Sequence, residues 1–327
     1  MNRSIVIRLQ GGLADQLKRF YAGTLIAKNL NAEVFLDYSP LTEYRIGEMT
    51  SFKNISNDEF PCINVNRRHL IWRLRFNSIL RKFQSSRNSK LMNLFSRLFD
   101  FGFGYISDIH SGSFSTISYT ELLRRARRFR IHRKIVLEGY FPSLEYFAQL
   151  NDDDKKLTGL SLFSEEDLMW VDKLGVDAQK IIKGQHFGIA HFRAGDNYSQ
   201  YKDFGMLPLS YYSEAIAILK NQNPSLVILG FSDNIPRAKE LYADLDIVWV
   251  DFSDSIPADV ILKIFIRSRK FIASHSGLAT FAGLLDPSKE RIVIAPEVQD
   301  GNPGRAEYHG SLTKHWKFIP AKLWINA

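Results

Sequence analysis

Apolar residues in this chain fall into two patterns that take turns. Residues 4–9 form a compact apolar run of strand length, closed by Gln10-Gly11-Gly12-Leu13-Ala14-Asp15-Gln16. Leu17, Phe20, Tyr21, Thr24 and Leu25 then recur at helical spacing, and 34–37 reads as a second strand. Strand, glycine turn, helix and strand open a Rossmann-like half. Later the alternation is more regular. A helix over 165–174 precedes a strand over 187–192, and a helix over 208–220 sets Tyr211, Tyr212, Ala215, Ile216 and Leu219 on one face. Strands at 226–231, 247–250, 271–273 and 292–295 alternate with helices opened by Pro236, at 258–266 and at 278–285. Strands and helices in this rhythm predict an α/β fold with a parallel, doubly wound sheet. The polar stretch 151–156 reads as surface near a boundary, which gives an N-terminal domain over 1–150 and a C-terminal one over 151–327.

One region breaks the pattern. Arg67, Arg73, Arg75, Arg81, Lys82 and Arg97 stand among Leu70, Leu74, Ile79, Phe83 and Leu98, with no acidic residue from Arg67 to Arg97. This predicts a basic amphipathic helical region over 66–105. It suits an anionic membrane face, or a solvated helix whose apolar side enters the core. A nucleic-acid arm is a third reading, but no recognised binding module accompanies it, and nucleic acid is not an expected partner. Arg124 to Lys134 adds a second basic patch, and the formal charge of +8 over 327 residues suits an anionic partner. The lone cysteine, Cys62, reads as a small core residue and points to a reducing compartment. No apolar run is long enough to span a bilayer, and Arg8 interrupts a first run too short for a signal peptide. The expected location is the cytoplasm, with peripheral contact at the inner face of the plasma membrane as the use of the basic region.

Parallel strands bring their carboxyl ends to one edge, where ligands of open α/β sheets sit. There the sequence sets Arg193 and Asp196, Ser232-Asp233, Asp251, and Ser274-His275-Ser276 ahead of a helix. A guanidinium is a pre-shaped fork for phosphate, and a helix start offers N–H groups. Together they predict a diphosphate site that needs no metal. The competing reading makes them caps and turns, with Arg193 and Asp196 closing a loop. His191 reads as a packed or hydrogen-bonded strand-end histidine. His186 and His191 face opposite sides of the strand, and no Asp-x-Asp follows an apolar strand, so neither a metal site nor a cofactor is expected. Gly11 and Gly12 read as a tight turn or as the floor of a sugar site, with Asp15 and Gln16 offering hydrogen bonds.

Five motifs then stand in a familiar order. They are Gly11-Gly12-Leu13-Ala14-Asp15-Gln16, Gly139-Tyr140-Phe141 with Ser143, Glu145, Tyr146 and Phe147, His191-Phe192-Arg193-Ala194-Gly195-Asp196, Leu207-Pro208-Leu209-Ser210-Tyr211-Tyr212, and Phe231-Ser232-Asp233. In this the chain resembles the bacterial α-1,2-fucosyltransferases of glycosyltransferase family 11, outside the basic region. It departs from them at Asp15, where they have Asn, at Ala194, where they have Arg, and at Ser276–Phe281, where they have Ser-Phe-Ser-Trp-Trp. The resemblance implies a GT-B arrangement, two Rossmann-like domains facing across a cleft. It also implies metal-independent, inverting transfer of fucose from GDP-fucose to a galactoside on a lipid-linked oligosaccharide of surface polysaccharide or O-antigen. Arg193 would stabilise the leaving GDP, with His191, Asp196, Ser232, Asp233, Ser274 and Ser276 around the donor and Asp251 accepting from guanine. Gly11, Gly12 and Asp15 would face the acceptor, with Asp15 and Glu145 as candidate bases. The runner-up is an enzyme of the same fold using another sugar nucleotide. A non-catalytic glycan-binding protein is the alternative from a different class.

Overall fold

The computed structural model describes residues 3–38, 41, 103–107, 109–110, 113–114, 118–128, 134–139, 141, 145–151, 153, 158, 160, 163–174, 187–195, 206–251, 256–285, 291–298 and 313–322. Cys62, Asp196 and the basic region up to residue 102 lie outside them. Described residues up to Gln149 form one compact unit, and those from Leu150 a second.

In the first unit, β1 (Arg3–Arg8) is buried on both faces, Ile5 and Ile7 on one and Ser4, Val6 and Arg8 on the other, as suits a strand covered on both sides. α1 (Leu13–Leu30) ends at Asn31, whose left-handed backbone (φ 48°) lets its N–H reach the carbonyls of Ala27 and Lys28. The helix lies so close to β1 that a Cβ on Gly23 would meet Ile7 Cδ1 at 2.3 Å. β2 (Ala32–Asp37), β3 (Phe103–Ser107), the short antiparallel pair β4 (Ile109–His110) and β5 (Ser113–Phe114), α2 (Tyr119–Arg128), β6 (Lys134–Glu138) and α3 (Glu145–Ala148) follow. Four of the strands make a parallel sheet in the order β2-β1-β6-β3. The expected helical region therefore gives way to a strand at its end: Phe103, Tyr105 and Ile106 are aromatic or β-branched and favour the pleated backbone.

In the second unit, α4 (Glu165–Asp172) is closed by a capping box, Ser164 Oγ accepting from Asp167 N–H at 3.1 Å and Asp167 Oδ2 accepting from Ser164 N–H at 2.6 Å. The same carboxylate accepts from buried Lys263 Nζ at 2.6 Å. The order then runs β7 (Phe187–Phe192), α5 (Leu209–Gln222), β8 (Val227–Ser232), α6 (Ile235–Leu241), β9 (Val248–Trp249), α7 (Ala258–Arg267), β10 (Lys270–Ile272), α8 (Gly277–Leu285), β11 (Ile292–Val298) and β12 (Lys317–Ala321). The sheet order is β12-β11-β10-β7-β8-β9, and every pairing is parallel. This is the parallel α/β sheet that the alternation predicts. β12 is an addition to it, and its Pro320 is tolerated because the strand lies at the sheet edge.

From β7 the chain steps outward to β8 and β9, then returns to the other side of β7 for β10, β11 and β12. The direction of winding reverses between β7 and β10, and that reversal opens the crevice where ligands of such sheets bind. A cluster of rings holds the β7 end in place. Phe192 packs on Tyr212 at 4.2 Å, Trp249 at 4.8 Å and Tyr242 at 4.9 Å. Each buried phenol donates to a carbonyl: Tyr211 to Ala273 at 2.7 Å, Tyr212 to His191 at 3.1 Å and Tyr242 to Leu207 at 2.7 Å. Burial pushes the Tyr211 and Tyr212 hydroxyls well up from their ordinary range. Among the described residues, no helix is long and apolar enough to cross a membrane.

Candidate functional site

The reversal point is built by two strand ends. His191, near the end of β7, sets its ring Nδ1 2.7 Å from the Ser274 hydroxyl, just past β10. The ring leans on Phe265 at 5.3 Å. Burial, aided by the charge of Arg193 and opposed by that of Asp233, pushes the imidazole down to about 4, so it is neutral at pH 7. Two residues beyond Ser274, the Ser276 hydroxyl accepts from Ala279 N–H at 3.2 Å and caps α8, while Thr280 Oγ1 donates to Ser276 O at 3.0 Å.

Arg193 follows β7 and is partly buried. The two peptide N–H groups after it, on Ala194 and Gly195, both donate to Asp233 Oδ1, at 2.8 and 3.0 Å. A Cβ on Gly195 would lie 2.7 Å from Asp233 Oδ2, so a larger residue there would push the carboxylate aside. Ser232 is occupied by its own turn, its hydroxyl accepting from Asn234 N–H at 3.1 Å, and Asn234 in turn caps α6 through Arg237 N–H at 3.2 Å. Asp251 lies beyond β9, on the outer side of β8, where its exposed carboxylate pairs with Lys239 at 2.6 Å.

The structure thus gathers His191, Arg193, Ser274 and Ser276 at the reversal point, sets Ser232 and Asp233 one strand away, and leaves Asp251 at the margin. A guanidinium after one strand and a helix start after its neighbour are both groups that suit an anion. Among the described residues, no group of three or more His, Cys, Asp or Glu is placed to hold a metal ion.

At the carboxyl edge of the first sheet, Gly11 takes a left-handed conformation (φ 79°) that glycine adopts without strain. Gln16 Nε2 donates to Gly11 O at 2.8 Å, and Asp15 pairs with Lys18 at 3.3 Å. Gly12 caps the start of α1, its carbonyl accepting from Asp15 and Gln16 N–H groups. Glu145 opens α3. Arg19 and Glu138 belong to no motif, and Arg8 reads in the sequence only as a break in the first apolar run. Arg19 is fully buried on α1 and donates to the carbonyls of Gln10 and Gly139, tying together the loops that leave β1 and β6. Arg8 Nη1 meets Asp37 Oδ2 at 2.9 Å, and its Nε lies 3.5 Å from Glu138 Oε1. The available signal was charge within apolar surroundings: Arg8 closes an apolar strand run, and Arg19 sits beside Phe20 and Tyr21.

No family model matches the chain, and no curated protein sequence matches it. Solved structures do. The fucosyltransferase NodZ from Bradyrhizobium is 14% identical, with 88% of this chain and 94% of that one covered, at a TM-score of 0.45. POFUT1 in complex with GDP-fucose is 11% identical over 86% and 94% of the two chains, at 0.47. A family 9 glycosyl transferase from Veillonella parvula is 11% identical over 97% and 86%, at 0.44.

Proposed function

We propose that this protein is a metal-independent, inverting glycosyltransferase of GT-B arrangement that transfers L-fucose from GDP-fucose. The observation that supports it best is the placement of Arg193 just after β7, and of Ser274 and the start of α8 just after β10, on the two sides of the reversal point of a parallel sheet. There the guanidinium offsets the charge of a diphosphate and stabilises the leaving GDP as the sugar bond breaks. The start of α8 adds its N–H groups. Neutral His191 holds the Ser274 hydroxyl without adding charge. Asp251 accepts from the guanine once it parts from Lys239. The first unit takes the acceptor galactoside at the Gly11-Gly12 turn; its hydroxyl gives its proton to Asp15 or Glu145 and forms the α-1,2 bond as the bond from fucose to GDP breaks. The five motifs in order favour this donor and linkage. The basic surface suits an acceptor carried on a lipid of an anionic membrane, during surface polysaccharide synthesis.

The test is titration of the full-length protein with GDP and with UDP, with and without chelator, and again with Arg193→Ala. Saturable binding that prefers GDP, survives chelator and weakens at least tenfold in the variant is expected. Transfer from GDP-fucose to a galactoside is then assayed. Equal binding of GDP and UDP would replace fucose by another sugar nucleotide. No nucleotide binding would point to a non-catalytic glycan-binding protein.

A further inference from the structure

Asp233 stands at the strand end next to the site, where a carboxylate would ordinarily be read as a ligand for the sugar or ribose of a donor. Its geometry points elsewhere. One oxygen, Oδ1, already accepts from two successive peptide groups, Ala194 N–H at 2.8 Å and Gly195 N–H at 3.0 Å. Its other oxygen lies 2.7 Å from where a Cβ on residue 195 would stand, so the loop packs against one side of a carboxylate that is otherwise exposed. Both peptides belong to the residues immediately after Arg193. The bonds link the exit of β7 to the exit of β8, two strands already paired from Phe187 to Phe192. A carboxylate accepting two N–H groups of a turn fixes the turn's path, and with it the direction in which the Arg193 side chain starts out from the backbone.

We infer that Asp233 is a positioning residue for Arg193: it holds the 193–195 loop in the conformation that presents the guanidinium to the donor diphosphate, and does not itself touch the donor. This rests on the reading of Arg193 as a diphosphate ligand. It differs from a direct role in what it predicts for combined substitutions, because a residue acting only through Arg193 has nothing left to lose once Arg193 is gone.

The experiment is a double-mutant cycle on GDP affinity in the full-length protein, using Arg193→Ala, Asp233→Ala, the double variant and Asp233→Asn. Asp233→Ala is expected to weaken GDP at least tenfold. The double variant should bind no more weakly than Arg193→Ala alone, and Asp233→Asn, which keeps an Oδ1 acceptor, should restore most of the affinity. Additive losses, or an Asp233→Asn variant as weak as Asp233→Ala, would overturn the inference in favour of direct contact with the donor. An Asp233→Ala variant that binds GDP normally would overturn it as well. Amide hydrogen exchange of the 193–195 segment supplies a readout that needs no ligand. Protection should be lost in Asp233→Ala and kept in Asp233→Asn, and unchanged protection in Asp233→Ala overturns the inference. If the wild-type protein binds no GDP, the donor-site reading fails while this exchange result still decides whether Asp233 holds the loop. Thermal melts identify a variant that has lost its fold. Should Asp233→Ala be one, Asp233→Ser takes its place with the same expectations.

Discussion

His191 and Ser274 join the two central strands of the second sheet by a 2.7 Å hydrogen bond across the point where its winding reverses. The bond ties together two strand ends from which the site's loops leave, and burial keeps its imidazole partner neutral.

That neutrality gives the protein a pH signature. The imidazole is pushed down from its ordinary 6.5 to about 4, so the unfolded chain takes up the proton first as the pH falls. Its contribution to stability is full above about pH 6.5 and is lost progressively down to about pH 4. The size is on the order of 3 kcal/mol. Denaturant unfolding at a series of pH values should show this slope in the wild type and a shallower one in His191→Gln.

Lys263 and Asp167 form a buried ion pair at 2.6 Å. Lys263→Met leaves the carboxylate without its cation and is expected to cost about 3–5 kcal/mol. Pairing it with Asp167→Asn, which keeps an oxygen for the helix cap, should recover part of that loss. Urea midpoints of the two single variants and the double variant provide the check.

Gly283 on α8 faces the Trp316 ring, and a Cβ there would lie 2.4 Å from Cζ2. Alanine normally improves a helix by about 1 kcal/mol over glycine. Here the clash should outweigh it, and Gly283→Ala is expected to destabilise by about 1–3 kcal/mol. Thermal melts monitored by circular dichroism read the sign directly.

Arg19 is expected to tolerate no shorter cation. Lysine lacks the planar fork that reaches both Gln10 O and Gly139 O. Arg19→Lys should lower stability by about 2–3 kcal/mol, since a buried carbonyl loses its donor. Hydrogen exchange should rise in both loops of the first unit, and an increase confined to one loop would contradict the bridging role.

The second sheet was legible in the sequence because buried parallel strands read as continuous apolar runs between amphipathic helices, and 187–192 and 226–231 do so plainly. The strand β3 was masked by its neighbours: a short Phe-Gly-Tyr-Ile-Ser run follows directly on basic, Leu-rich sequence. β12 contains Pro320, which argues against a strand until its edge position is known. The strand-end positions of His191, Arg193 and Ser274 were legible because each follows or closes a continuous apolar run. Their partners were not, because which carbonyl or carboxylate a polar group meets depends on tertiary placement. Arg19 finds Gly139 from a distant part of the sequence, and Asp167 finds Lys263 in the same way. Asp233 follows directly on β8, a position its sequence marks, but its two peptide donors belong to another strand's loop.

The pairing of β1 with β6 also sets an order of events during synthesis. Ile5, Val6 and Ile7 leave the ribosome long before Ile135, Val136 and Leu137, their neighbours in the finished sheet. Until then β1 can pair only with β2, and its other edge stays open to chance partners. Arg19 cannot bridge its two loops before Gly139 has emerged. The first unit is therefore committed to its native form only when translation has passed that glycine.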